Sequence, residues 1–194
     1  MRLFIAIDTK DINIENFQNL LINQFNFNPQ FIRAINRNNL HLTIKFLGEK
    51  TDIEVKDIIF DLKKINFTSF RMIFNNVGVF PHIKSPRIIW LGLDDESNRK
   101  LNDLYIQIND VLKKYDVVKD GNTISKSSAQ KFFPHLTIFR IYKYTKIPNF
   151  FPLFSKRVIS EGEVDIIRLK KSTLTPNGSI YSDLFSIHAN NKNE

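Results

Sequence analysis

Apolar residues in this chain recur in two rhythms, short alternating or unbroken runs and longer three-to-four spacings, and together they divide it into strands and helices. Leu3-Phe4-Ile5-Ala6-Ile7 behind Arg2 predicts a first strand over residues 2–7. Residues 11–25 predict a helix with Ile14, Phe17, Leu21 and Phe25 on one apolar face, and Asn28-Pro29 breaks it. A short extended piece over 31–35 leads through polar residues 36–39 into a strand over 41–47 that stops at Gly48. Thr51-Asp52-Ile53-Glu54 has the form of a capping box and opens a helix whose buried stripe is Val55, Ile58, Ile59 and Leu62. Residues 67–79 predict a long, partly alternating strand, joined through a loop over 81–86 to another over 87–93. Asp94-Asp95-Glu96 suit the positive end of a helix dipole and open the longest helix, to about Tyr115, with Leu101, Leu104, Ile108 and Leu112 at core spacing. Residues 116–131, rich in Lys, Ser, Gly and Asn, predict a mobile loop of the kind that sits beside a binding site. Past Arg140 come Pro148 and Pro152, strands within 158–169, the turn Thr175-Pro176-Asn177-Gly178 and a last strand over 180–187.

Many strands and a few helices without strict βαβ alternation predict an α+β fold with mainly antiparallel sheet. No Pro/Gly/Ser-rich linker divides the chain, so residues 1–189 are expected to form one domain of two related lobes, with 190–194 a disordered tail. A length of 194 residues with 42% hydrophobic content is enough for a real core, and the 18 phenylalanines are most simply part of it. The absence of cysteine excludes disulfides, thiolate nucleophiles and Cys-based metal sites. The opening apolar run is too short for a signal peptide and is interrupted by Asp8, and no run approaches the roughly 18 apolar residues that span a bilayer. A soluble, cytoplasmic protein is expected. The formal net charge of +8 points to a polyanionic partner, although the positive charges are dispersed. The pairs Lys63-Lys64, Lys113-Lys114 and Lys170-Lys171 fall at element ends, where a solvated edge also accounts for them.

The chemistry is carried by a repeat. His-Leu-Thr-Ile occurs at residues 41–44 and again at 135–138, using two of the chain's four histidines. Strand alternation puts His41 with Thr43, and His135 with Thr137, on one face, while Leu42, Ile44, Leu136 and Ile138 turn to the other. A hydroxyl two residues from an imidazole lies roughly 7 Å along the strand, a span that brackets a phosphate. Placed on either side of a phosphorus atom, one neutral imidazole takes a proton from attacking water and one imidazolium gives a proton to the departing alkoxide. The threonines would hold the non-bridging oxygens. A single His-x-Thr strand is usually structural; two identical copies are not explained that way. His82 and His188 lack the repeat and read as loop or surface residues. Two histidines without cysteine leave a zinc ligand set incomplete, so no metal and no cofactor are expected.

On these residues the chain resembles the two-histidine (2H) phosphoesterase superfamily, and within it the bacterial and archaeal RNA 2′,3′-cyclic phosphodiesterases, also called 2′-5′ RNA ligases. The likeness runs through residues 2–6, 39–49, 86–92, 133–140 and 172–181, nearly the whole chain. It implies two pseudo-symmetric lobes of mainly antiparallel sheet with outer helices around a central cleft. By similarity His41 is the proton donor to the leaving 3′ oxygen and His135 the acceptor that activates water. The product ends in a 2′-phosphate, and the same site run backward joins a 5′-hydroxyl end in a 2′-5′ linkage. Arg140 resembles the family's phosphate-binding arginine, although strict alternation points it away from the cleft and a strand end or bulge must turn it back. An exposed, salt-bridging arginine is the other reading. Lys45 shares the face of His41 by alternation and reaches RNA phosphate or solvent. Arg33 matches an arginine upstream of the first motif, while Ala34 stands where an aromatic is common and Phe139 where a small residue is common. The implied partner is RNA with 2′,3′-cyclic phosphate ends, such as tRNA halves, met by a monomer. A 2H phosphoesterase acting on a small cyclic nucleotide or a nucleotide-sugar cyclic phosphate, and a non-catalytic RNA-binding module, are the competing readings.

Overall fold

The computed structural model describes every residue except 10, 11, 117, 120, 121, 124–131, 146, 149, 177 and 191–194. In chain order the elements are β1 (Arg2–Asp8), α1 (Glu15–Phe25), β2 (Ile32–Ala34), β3 (His41–Glu49), α2 (Asp52–Leu62), β4 (Phe70–Phe80), β5 (Ile88–Leu93), α3 (Asp95–Leu112), β6 (Val118–Lys119), β7 (Asn122–Thr123), β8 (Leu136–Ile141), β9 (Ser160–Val164), β10 (Ile166–Thr175) and β11 (Gly178–His188). Of the tail expected at 190–194, residues 191–194 lie outside the described residues, but Asn190 is held in place, its N–H donating to the Phe67 carbonyl at 2.9 Å and its side-chain amide to Asn66 Oδ1 at 2.6 Å. Most of the expected loop at 116–131 also lies outside the described residues; β6 and β7 pair within that stretch.

Local chemistry sets the helix starts. Thr51 accepts from the backbone N–H of Glu54, and the Glu54 carboxylate accepts from the Thr51 N–H in return, so the capping box is complete. Asp94 caps α3 by accepting from the Ser97 N–H at 2.8 Å. The first helix begins at Glu15, later than the apolar spacing predicted, because Ile12 and Ile14 are buried in a turn before it. It ends at Asn26, which adopts the left-handed conformation at φ 48°.

Strand order is β11-β10-β1-β3-β8-β5-β4-β9, with β2 added along β8, and the pairings between these strands are antiparallel. The α+β class is as expected. Read outward from the middle, β3-β1-β10-β11 and β8-β5-β4-β9 are two equivalent halves. They meet at one residue pair, Leu42 with Leu136, both fully buried. The two motif strands are therefore neighbours at the centre of the sheet, diverging from that pair. Each carries a bulge against its outer neighbour. Thr43 and Lys45 oppose Ala6 and Ile5, skipping Ile44; Thr137 and Phe139 oppose Trp90 and Ile89, skipping Ile138. Phe139 consequently turns into the core, fully buried and edge-on to Phe27 at 5.5 Å.

Helix α3 backs the buried side of β3 with Leu101, Leu104, Ile108 and Leu112, and α2 lies beside it. The buried carboxylate of Asp61 on α2 ties that helix to the turn just after α3, accepting from the Tyr115 hydroxyl at 2.6 Å and from Lys114 at 2.7 Å, and it also accepts from Lys64 at 2.5 Å. Hydrogen bonds from Lys114, Lys64 and Tyr115, in that order, hold this carboxyl well below the usual carboxylate range. With the folded-state affinity for a proton depressed, its contribution is present above the unfolded pKa and is lost as pH falls through the folded one. Asp61→Asn is expected to lower Tm at pH 7, with the gap from the parent narrowing in acid below the carboxylate range. Calorimetry at a series of pH values checks this; a gap independent of pH contradicts it.

Candidate active site

Because Leu42 and Leu136 point into the core, alternation sets His41, Thr43, His135 and Thr137 on the opposite face of the two central strands, all partly exposed. The antiparallel pair between them places His41 near Thr137 on one side and Thr43 near His135 on the other. The two halves also treat their imidazoles alike. His41 Nδ1 lies 2.7 Å from the Asn39 carbonyl oxygen and His135 Nδ1 lies 2.9 Å from that of Phe133, in each case two residues back. A carbonyl only accepts, so Nδ1 donates in both rings and Nε2 is left to exchange a proton.

Aromatic side chains wall each imidazole. Phe4 and Tyr181 stand 5.1 and 4.9 Å from the His41 ring, and Phe80 and Phe133 stand 5.2 and 6.2 Å from that of His135. Trp90 stacks on Phe80 and spreads over Gly78, where a Cβ would collide with the indole. Glycine at that position is what lets Trp90 lie down beside His135.

Charge is concentrated around His41. Its cross-strand partner Asp8 meets Lys170 Nζ at 2.9 Å and Arg168 Nε at 2.8 Å, and Lys170 also meets Asp183 at 2.6 Å. Burial pushes the His41 pKa below the ordinary imidazole value, and the positive charges of Lys170 and Arg140 push the same way, against the Asn39 carbonyl and Asp8. An anionic phosphodiester in the cleft opposes this lowering most strongly where it touches the ring, and so favours the imidazolium. In the free protein the His41 titration observed by NMR is expected below the ordinary midpoint, and Lys170→Met is expected to raise it. A downward move in that variant contradicts the assignment of Lys170 as a depressing charge.

The bulge in β8 settles the position of Arg140. Skipping Ile138 returns Arg140 to the face of His135 and Thr137, where it is exposed and its charge reaches His41. The carbonyl of Ile138 is held from behind by Gln18 Nε2 at 2.8 Å and the Ile35 N–H at 2.9 Å. The matching bulge in β3 overturns the reading of Lys45. Its side chain turns away from the cleft into the core, 0% exposed, with Nζ 2.7 Å from Asn109 Oδ1 and 2.8 Å from Asp116 Oδ1. Phe46 takes the cleft-side place instead, 70% exposed and 6.2 Å from Phe4. Arg33 lies on β2 directly opposite Arg140, one strand out from the motif, and its guanidinium sits 5.2 Å over the Tyr142 ring. Sequence reasoning missed Phe46, although it stands five residues after His41 as Arg140 stands five after His135. Asp8, Lys170 and Gln18 came from distant segments and had no motif to mark them. Among the described residues no group of three or more His, Asp or Glu side chains is arranged to hold a metal ion, and no helix is long and apolar enough to cross a membrane.

Residues 15–90 match the LigT like Phosphoesterase family. An RNA 2′,3′-cyclic phosphodiesterase of Archaeoglobus fulgidus is 33% identical over 185 residues, covering 95% of this chain and 98% of its own. The chain belongs to the LigT-like phosphoesterases. Another relative of this family, the RNA 2′,3′-cyclic phosphodiesterase of Methanocaldococcus jannaschii, is 31% identical over 93% of this chain and 96% of its own. The crystal structure of E. coli LigT complexed with 3′-AMP has the same fold, with a TM-score of 0.70 at 22% identity over 97% of each chain. The central β3–β8 junction described above is thus the LigT-like fold as this sequence builds it.

Proposed function

We propose that this LigT-like phosphoesterase opens 2′,3′-cyclic phosphate ends of RNA to 2′-phosphomonoesters. The observation that carries the reading is the duplicated His-x-Thr pair with both Nδ1 atoms tied to a carbonyl, which leaves two equivalent Nε2 atoms on one face. His135 Nε2 takes a proton from water as its oxygen attacks phosphorus. The bond from phosphorus to the 3′ oxygen breaks, and His41 Nε2–H delivers a proton to that oxygen. The ester to the 2′ oxygen stays. Thr43 and Thr137 donate to the non-bridging oxygens, where charge must be held in the transition state. A 5′-hydroxyl in place of the water gives a 2′-5′ linkage by the same proton transfers. In this reading the enzyme acts in the cytoplasm, as a monomer, on cleaved RNAs such as tRNA halves.

The test is incubation of EDTA-treated protein with a nucleoside 2′,3′-cyclic phosphate and with a short RNA ending in one, the product being identified against 2′- and 3′-phosphate standards. A 2′-phosphate is expected from the RNA. A 3′-phosphate, or no turnover, overturns the reading and moves it to other cyclic phosphates or to RNA binding alone.

A further inference from the structure

We propose that Tyr105, on α3 and outside the cleft, is a positioning residue for His135: its ring holds Phe132, and through it the Phe133 carbonyl that keeps His135 Nε2 open to accept a proton. The kinetic consequence rests on the cyclic phosphodiesterase reading; the positioning itself does not.

The first support is a difference between the two halves of the site. His41 lies inside β3 with Asp8 as its ladder partner, and the Asn39 carbonyl that orients its ring belongs to a hydrogen-bonded turn. In that turn the Asn39 N–H donates to the Asn36 carbonyl at 2.8 Å and the Asn38 N–H to Asn36 Oδ1 at 3.0 Å. His135 stands one residue before β8 begins, and Phe133, whose carbonyl orients it, lies in no helix or strand. Pro134 has no N–H to donate. Among the described residues, 132–134 make no backbone-to-backbone hydrogen bond. The same imidazole geometry therefore has to be held by something other than a ladder or a turn.

The second support is what the rings do there. Phe133 packs beside His135 against Phe80 at 5.6 Å and Trp90 at 5.1 Å. Its neighbour Phe132 is partly buried and stacks on Tyr105 at 4.2 Å, 9° from parallel. The main chain leading to the Phe133 carbonyl is thus gripped at two successive side chains. Leu104 and Ile108, on either side of Tyr105 along α3, are buried in the core behind β3. Tyr105 consequently ties the segment before His135 to the helix that backs the strand of His41. The two motif strands share one registered pair, Leu42 with Leu136, so a second fixed point limits how far one imidazole moves relative to the other. An ångström of misplacement costs up to about 10²-fold in rate. A neutral ring released from its carbonyl also populates the tautomer with Nε2 protonated, which cannot accept.

The experiment measures kcat and KM on an RNA 2′,3′-cyclic phosphate, together with the ring-nitrogen NMR shifts of both motif histidines at a pH where they are neutral. Tyr105→Phe keeps the ring and is expected to match the parent. Tyr105→Ala is expected to lower kcat about tenfold with KM nearly unchanged, and to move His135, but not His41, toward the Nε2–H tautomer. Phe132→Ala is expected to do the same, and the double alanine variant to be no slower than either single one, because both remove a single contact. Parental kcat and an unaltered His135 tautomer in Tyr105→Ala overturn the proposal. Equal tautomer shifts at both histidines overturn it too, since they mark a general loosening around α3. Absence of turnover in the parent itself overturns the cyclic phosphodiesterase reading, and the tautomer ratio in Tyr105→Ala still decides the positioning role. Circular dichroism identifies a variant that fails to fold; Tyr105→Leu, which keeps the apolar bulk without the flat face, then takes the place of Tyr105→Ala with the same outcomes.

Discussion

Alanine at His41 or at His135 is expected to lower kcat on an RNA 2′,3′-cyclic phosphate by about 10²–10⁴-fold, the range for loss of one positioned general acid or base. Each change removes one proton-transfer atom from a partly exposed face and leaves the buried Leu42–Leu136 junction intact. Folding and affinity for the RNA are therefore expected to survive. The two losses should not add: once either proton partner is gone, the concerted transfer is gone, and the double variant is expected to be about as slow as either single one. Single-turnover rates with binding measured separately check this. An alanine variant with parental kcat at either position removes that histidine from the mechanism. Threonine is a gentler case, since removing one donor to a developing charge costs about 10²–10³-fold in related chemistry.

How much of this site was legible depends on where alternation holds. At His41, Thr43, His135 and Thr137 it holds, because all four precede the bulges, and their common face follows from counting by two. It fails at the next position. A bulge has no composition of its own here; it is specified by what the skipped residue does, and Ile44 and Ile138 are buried aliphatics like any others. Arg140 could be placed correctly only by requiring a bulge. The same requirement applied to the first copy of the repeat would have exchanged Lys45 for Phe46. The helices were more legible, since the acceptors at Thr51 and Asp94 act on neighbours within one turn. Asp8 and Lys170 reach the site only through strand order, and Gln18 only through the packing of α1 behind β8, neither of which pattern alone supplies.

The interior position of Lys45 leads to the second large effect. Lys45→Met keeps the length of the side chain and removes its charge, stranding the Asp116 carboxylate, which is 6% exposed. Breaking a buried pair in this way costs about 3–5 kcal/mol, because the remaining charge is still desolvated and has lost its partner. Asn109 Oδ1 loses its donor as well. Replacing both members, Lys45→Met with Asp116→Leu, removes the stranded charge and is expected to recover most of the loss. Urea denaturation of the parent, the single and the double variant measures this directly. The catalytic prediction is opposite to that for a phosphate-binding lysine: at a temperature where Lys45→Met is folded, its kcat/KM is expected to stay near the parent's. If the single variant instead kept its stability and lost affinity for the RNA, Lys45 would face the cleft, and the bulge that brings Phe46 beside Phe4 would be wrong.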